Sequence, residues 1–353
     1  MTVHRIVCTF FLALLPSVHA AFAQQPQPAV PPTSRDIHLD VAIDSKSGLP
    51  PARLTQQDFT VLDNKAPRPI TSFKIMTSAE DPVSVIVIVD AVNIPYPVLA
   101  WSRQGVEKFL KANEGQVPYP TAVAVLTDQG IQIEDKLSTD GNALSDSLER
   151  HTIGLREITR DSQWGALDRM QICLKAFDQL VAFAPSLPGR KIVLWISPGW
   201  PLISGAQIEI SARQEQEIFN QVVDYSTRLR QTDLTLYDIN PIGASESLQE
   251  ASEYQSYLKG VSKPYQAQFG DLSLQVLAIQ SGGLAIEGNS DVAGTIQKIL
   301  ADAQSWYRIA FDPVPADKPN DYHHIEIKVD RPGFTARTRD GYYSNSLAAN
   351  PAH

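Results

Sequence analysis

Cysteine is almost missing from this chain. Two thiols in 353 residues, Cys8 and Cys173, cannot build a disulfide scaffold, so buried apolar surface has to hold the fold. Basic charge is also short, with 30 Lys and Arg against 39 Asp and Glu and a formal net charge of -9. That balance excludes the basic surface a polyanionic nucleic acid would require. Long apolar runs are absent except at the very start, which excludes a multi-span membrane protein. No phosphate-cradling glycine loop, G-x-S-x-G elbow or H-E-x-x-H pair occurs. What remains is an ordinary globular composition, 43% hydrophobic and 20% charged, enough for roughly one to three domains.

The single apolar run has a tripartite form. Met1–Arg5 carries one Arg, Ile6–Leu15 is apolar, and Ala21-Phe22-Ala23 places small residues ahead of Gln24. This pattern predicts a secretory leader cleaved after Ala23, an uncleaved N-terminal anchor being the alternative. Cys8 lies inside the apolar run and not after a small-residue lipobox, which argues against a lipid anchor. The expected location is therefore secreted or periplasmic. Cleavage would leave Cys173 as the only thiol, expected to be reduced and buried.

Gln24–Arg35 is Gln- and Pro-rich and reads as a flexible leader. Over 36–80 the period is that of strands: Ile37, Leu39, Val41 and Ile43 alternate with polar neighbours, and Phe59–Leu62 and Ile70–Met76 form a second pair around Asp63-Asn64-Lys65. From 81 to 306 the pattern changes. Val83–Val89 and Lys191–Ile196 are apolar on both faces, as strands inside a parallel sheet covered by helices must be. Helices are expected after Tyr96, near Ala143–Arg150, and over Gln163–Phe183, Arg213–Arg230, Leu272–Gln280 and Val292–Trp306. Ala122–Leu126, Ile131–Glu134, Leu234–Ile239 and Leu284–Glu287 are the remaining strands, and Pro241–Gly270 reads as a long irregular insertion. Alternation of this kind predicts an α/β fold with a doubly wound, mainly parallel, Rossmann-like sheet. Residues 307–343 return to strands, with a hairpin expected at Arg331-Pro332-Gly333, and 344–353 read as a flexible tail. The strands at the two ends are expected to form a small accessory β unit.

In such a sheet ligands bind outside the carboxyl ends of the strands, near the reversal of strand order. The polar residues there are Asp90 and Asn93 after the first core strand, Asp128 after the second, Ser197 after the fourth, and Asp238 and Asn240 after the fifth. Tyr96 and Trp200 stand in the adjoining loops, where an exposed aromatic would anchor a partner. Cys173 lies beside a helical apolar stripe, which predicts packing and no catalytic role. His323 and His324 are neighbours on a strand, point to opposite faces and cannot share a metal.

Several of these segments together carry a family resemblance. The two-faced strand ending in Asp90, Pro188-Gly189-Arg190-Lys191, Trp195-Ile196-Ser197-Pro198-Gly199-Trp200-Pro201, Ser281-Gly282-Gly283, Trp306-Tyr307-Arg308-Ile309 and Arg339-Asp340-Gly341-Tyr342-Tyr343 resemble bacterial von Willebrand factor type A-related proteins of the acidobacterial type. Leu54–Leu62 is similar to that family's leading β segment, and the resemblance spans roughly residues 36 to 343. It implies a domain that binds protein ligands at the top of the sheet, often through a metal. The family's metal motif has Ser two and four residues after the first Asp, whereas Val92 and Ile94 stand here. Ser162 is near the expected Thr, and Ser197-Pro198-Gly199 replaces the expected Asp-Gly. The resemblance thus implies a degenerate site. No cofactor is expected, and any Mg2+ or Ca2+ would bind weakly to Asp90, Asn93, Ser162 and Ser197, since ligand charge drives affinity for a hard cation.

The resulting expectation is an exported, non-enzymatic module recognising an unidentified protein of the envelope or exterior through Asp90, Asn93, Tyr96, Ser197 and Trp200. Nucleic acid is not an expected partner, and no membrane span is expected after the leader. The alternatives are metal-dependent adhesion through Asp90 and a haloacid dehalogenase-like hydrolase. The hydrolase would require a second Asp where Val92 stands.

Overall fold

Six of the eight residues of Val83–Asp90 are Val or Ile, and all eight are buried. Such a strand cannot lie at a surface, and the sheet forms around it. The computed structural model describes residues 36–45, 53–134, 136–151, 163–203, 210–242, 253–288, 290–314 and 318–344. The expected leader over 1–35, Ser162 and residues 345–353 of the expected tail lie outside the described residues.

In chain order the first strands are β1 (Ile37–Ser45), β2 (Phe59–Asp63), β3 (Ala66–Arg68), β4 (Ile70–Thr77) and β5 (Val83–Asp90). Then follow α1 (Tyr96–Leu110), β6 (Gln116–Thr127), β7 (Gly130–Ile133), β8 (Ser138–Asp140), α2 (Gly141–Arg150), α3 (Gln163–Phe183) and β9 (Arg190–Ile196). The remainder is α4 (Ala212–Gln231), β10 (Leu234–Ile239), α5 (Leu274–Gln280), β11 (Ala285–Ile286), α6 (Val292–Asp302), β12 (Ser305–Phe311), β13 (Tyr322–Val329), β14 (Phe334–Arg337) and β15 (Gly341–Tyr343).

The central sheet has the order β11-β10-β9-β5-β6-β7, with β8 also on β6. β11, β10, β9, β5 and β6 are parallel, and β7 and β8 run against β6. Strand order reverses between β5 and β9, which pair from Val83↔Arg190 to Val89↔Ile196. One face of the sheet (Ile86, Ile88, Val193, Trp195, Leu236) packs on α3, α4 and α5 through Phe177, Leu180, Val222, Tyr225 and Leu277. The other (Val85, Val87, Val89, Leu194, Ile196) packs on α1, α2 and α6 through Val106, Phe109, Leu148 and Ile296. The chain is therefore mixed α/β, with a mostly parallel sheet between two helical layers. Among the described residues no helix is long and apolar enough to cross a membrane.

Strands from both ends of the chain build two four-stranded antiparallel sheets, β14-β1-β12-β4 and β15-β13-β2-β3. They share one apolar cluster that includes Leu39, Val61, Ile309, Phe311, Ile325 and Tyr342. Two expectations for this region are corrected. β2 pairs with β3, and β4 joins the other sheet on β12. Asn64 and Lys65 both take left-handed backbone, φ 49 and 69, and close a two-residue hairpin before the chain reaches β4. The expected hairpin at Arg331-Pro332-Gly333 does not form, because β14 pairs antiparallel with Ala42–Ser45 of β1.

Candidate functional site

β5 and β9 meet at the reversal of strand order, and their carboxyl ends put Asp90 and Ser197 side by side. After Asp90 the chain turns sharply, so the backbone N–H groups of Val92 and Asn93 donate to Asp90 Oδ1 at 3.0 and 2.9 Å. This is a short Asp-capped turn. Asp90 Oδ2 accepts from Asn93 Nδ2 at 2.8 Å, Ser197 Oγ at 2.9 Å and Trp195 Nε1 at 3.3 Å. Asp90 has no exposed surface. Burial pushes its carboxyl above the ordinary range, and the bonds from Asn93, Ser197 and Trp195 push the other way.

Five donors fill this carboxylate, which disagrees with the requirements of a hard cation. Such a cation needs free oxygens, but Val92 and Ile94 are buried apolar side chains and Ser197 Oγ spends its proton on Asp90. Asp90, filled in this way and flanked by Val92 and Ile94, does not fit the role of a metal ligand. Asn93 Nδ2 also lies 3.1 Å from Cys173 Sγ, and Cys173 is fully buried on α3. Burial, then the charge of Asp90, raise that thiol well above its usual range and disfavour its thiolate.

Beside Asp90 lies a cavity of about 120 Å3 lined by Asn93, Arg169, Pro198, Gly199, Trp200 and Gln275, among others. Asn93 Oδ1, Gln275 Oε1 and Trp200 Nε1 are buried without a hydrogen-bond partner. The amides are oriented by their other ends, Asn93 Nδ2 on Asp90 and Gln275 Nε2 on Pro198 O at 3.4 Å. Gly199, at φ +101, permits this approach, because a Cβ there would fall 1.9 Å from Gln275 Nε2.

Trp200 corrects the expectation of an exposed anchor. It is 2% exposed and packs edge-on against Trp195 and Phe177, with ring centroids 5.2 and 5.8 Å apart. The turn at Pro198-Gly199 folds it back onto the core. The exposed aromatics at this end are Tyr96, 66% exposed at the start of α1, and Trp164, 78% exposed at the start of α3. α1 follows β5 and α3 leads into β9, so both helices begin at the carboxyl ends of the strands. Asp128 stands apart in the β6–β7 turn, bonded to its neighbour Gln129 at 3.1 Å. His323 is buried and bonded to Asp63 at 2.8 Å, while His324 is exposed on the opposite face of β13.

Sequence reasoning gave no special weight to Asp238. It is fully buried at the end of β10, on the same sheet face as Asp90, and among the described residues both carboxylate oxygens lack a hydrogen-bond partner. Burial, then the charges of Glu287 and Asp90, raise its carboxyl well above the usual range. Glu287 is itself bonded by Asn240 Nδ2 at 2.7 Å. A carboxyl held protonated by the fold costs nothing below its unfolded pKa, then destabilises increasingly as pH rises toward the folded value. Asp238→Asn is therefore expected to stabilise the protein at pH 8 and to change little at pH 4, each tenfold change in proton affinity being worth about 1.4 kcal/mol. Urea unfolding at the two pH values checks this, and equal effects at both would reject it.

No family model matches the chain, and no curated protein matches it. Among solved structures, a mutant of the PilB minor pilin from Streptococcus sanguinis is similar, at 8% identity and TM-score 0.38 over 75% of this chain and 78% of that one. Manganese-loaded TRAP protein from Plasmodium vivax is similar at 12% identity and TM-score 0.30, over 77% and 98% of the two chains. Human COPII-coat protein Sec24c is similar at 9% identity and TM-score 0.30, over 77% and 44%.

Proposed function

We propose that this chain is an exported, non-enzymatic protein-binding module of the von Willebrand type A-related kind, which engages its partner at the carboxyl end of the central sheet without a metal. The observation that carries the reading is the saturation of Asp90. The one carboxylate at the strand-order reversal serves as an internal knot, while Tyr96 and Trp164 stand exposed at the same end. Aromatic side chains supply large, rigid contact area at low entropic cost, as binding surfaces require. The enclosure of Asp90 and the presence of Val92 two residues on weigh against a phosphate-transferring hydrolase, whose nucleophile must reach its substrate. Export rests on the leader pattern ahead of Gln24.

A photo-reactive residue placed at position 96 or 164, with a control at the exposed Glu326 of β13, tests this in intact producing cells. The expected result is one common adduct from positions 96 and 164, none from 326, and no change when EDTA is added. Tyr96→Ala is expected to weaken capture at position 164 by roughly tenfold. Adducts from position 326 alone would overturn the proposed face. Adducts abolished by EDTA would favour metal-dependent adhesion instead.

A further inference from the structure

The end of the central sheet opposite Asp90 holds a dense group of buried and half-buried charges. It forms where β9 and β10 begin and where β1, β12 and β14 of the antiparallel layer come against them. Arg308 grips Asp40 through Nε at 2.8 Å and Nη2 at 3.2 Å, and Nη2 also reaches Asp81 at 2.9 Å. Arg337 bonds Asp44 at 3.2 Å and Gly282 O at 2.8 Å. Arg190 lies over the Trp306 ring at 5.0 Å, and its Nε is 4.0 Å from Asp40, too far for a hydrogen bond.

Between these groups is a small polar cavity of about 10 Å3, lined by Arg190, Arg337, Arg339, Asp40, Asp233 and Gly282 among others. Arg190 is 5% exposed, and among the described residues its Nε and Nη1 have no hydrogen-bond partner, nor does Nη2 of Arg337. Arg339 is 9% exposed. Burial, then the charge of Arg230, lower it to about 10, so it remains a cation at neutral pH. Of the two carboxylates in the lining, Asp40 is already committed to Arg308. Partial burial and the charge of Asp40 raise the carboxyl of Asp233, and Arg308, Arg339 and Lys191 pull it back. Arg337 has its partner in Asp44, and Arg308 its partners in Asp40 and Asp81, so Arg190 and Arg339 are two buried cations left facing the one carboxylate of Asp233.

We infer that this cavity is a binding site for a single monatomic anion, chloride under ordinary conditions. A volume of this order suits a monatomic anion better than sulfate, phosphate or an organic acid. A water would accept two N–H bonds but leave the charge excess untouched, and a buried guanidinium without a counter-charge is strongly destabilising. A chloride between these side chains would accept N–H bonds from the lining and supply the missing charge. It would act as a mortar between the base of the parallel sheet and the β1–β14 edge of the antiparallel layer.

Thermal unfolding of the whole chain, at fixed ionic strength with chloride replacing gluconate, tests the site. A saturable rise in Tm of about 2 °C or more is expected. Arg339→Met should abolish the rise. If that variant does not fold, Asp233→Asn keeps the site testable. Asp233 sits at φ 50, where Asn is well tolerated, and loss of its charge should lower the half-saturating chloride concentration by roughly fivefold. Crystals grown in sodium bromide should show one anomalous peak between Arg190, Arg337 and Arg339. Identical melting of the wild type in chloride and gluconate, an unchanged half-saturation in Asp233→Asn, or no bromide peak would each overturn the inference.

Discussion

Replacing Asp90 with alanine is expected to lower the unfolding free energy by about 3–5 kcal/mol, equally in magnesium and in chelator. The wild-type carboxylate accepts from two backbone N–H groups, an amide, a hydroxyl and an indole. Alanine takes the acceptor from all five donors, of which Ser197 Oγ keeps Gly199 O and Asn93 Nδ2 keeps the Cys173 sulfur. Each buried orphan costs about 1–3 kcal/mol, less where water enters, and removing a buried charge returns part of the loss. Asp90→Asn keeps the shape but turns an NH2 toward two or three of those donors, so it is expected to fall between wild type and alanine. Chemical denaturation in the two buffers measures both variants. A loss below about 1 kcal/mol would mean that Asp90 is not a structural knot. A loss seen only with magnesium present would mean that it holds a metal.

The layered fold was legible because its strands are extreme. Val83–Val89 and Lys191–Ile196 leave no polar face, so only a doubly covered position suits them. The start of β6 was not legible. The expected strand begins only at Ala122, yet Gln116–Pro120 is already strand, with buried Val117 and Tyr119 alternating with exposed side chains. Its pairing with β5 begins only at Thr121, so the prolines lie on an edge and remove no central hydrogen bond. The end of α6 was also misjudged. Trp306 continues the apolar spacing of a helix, but α6 stops at Asp302 and Trp306 is a strand residue opposite Met76. Local turn chemistry failed at Arg331-Pro332-Gly333 for a tertiary reason. β13 already has β2 on one side and β15 on the other, while Ala42–Ser45 of β1 offers an open edge to β14.

The site divides along the same line. Strand ends marked Asp90, Asn93 and Ser197 as neighbours-to-be, and the structure joins all three by hydrogen bonds. Nothing in the sequence separates Gln275 from any other helical glutamine, or Asp238 from a bonded Asp90. Their orphan polar atoms arise from packing between elements far apart in the chain. The same holds for Arg190, Arg337 and Arg339, which converge only because β9 and β14 belong to different sheets that meet.

Trp200→Ala is expected to cost about 3–5 kcal/mol of stability and to leave partner capture at position 96 unchanged. A loop tryptophan beside prolines looks like an anchor in sequence, and the structure decides between anchor and core by burial. Trp200 is 2% exposed, belongs to the same apolar cluster as Phe177 and Trp195, and meets both rings edge-on. Truncation would open a void in that cluster, and the rigid turn at Pro198-Gly199 limits how far the loop can collapse to fill it. Its indole Nε1 has no partner, so Trp200→Phe sacrifices no hydrogen bond and keeps an aromatic edge against Phe177. That variant is expected to lose less than about 1.5 kcal/mol. Denaturant unfolding of the pair, read beside crosslinking yield, separates the two roles. Weakened capture in a Trp200→Ala protein whose stability is intact would make Trp200 the contact residue, and would mean that the loop opens to expose it in the complex.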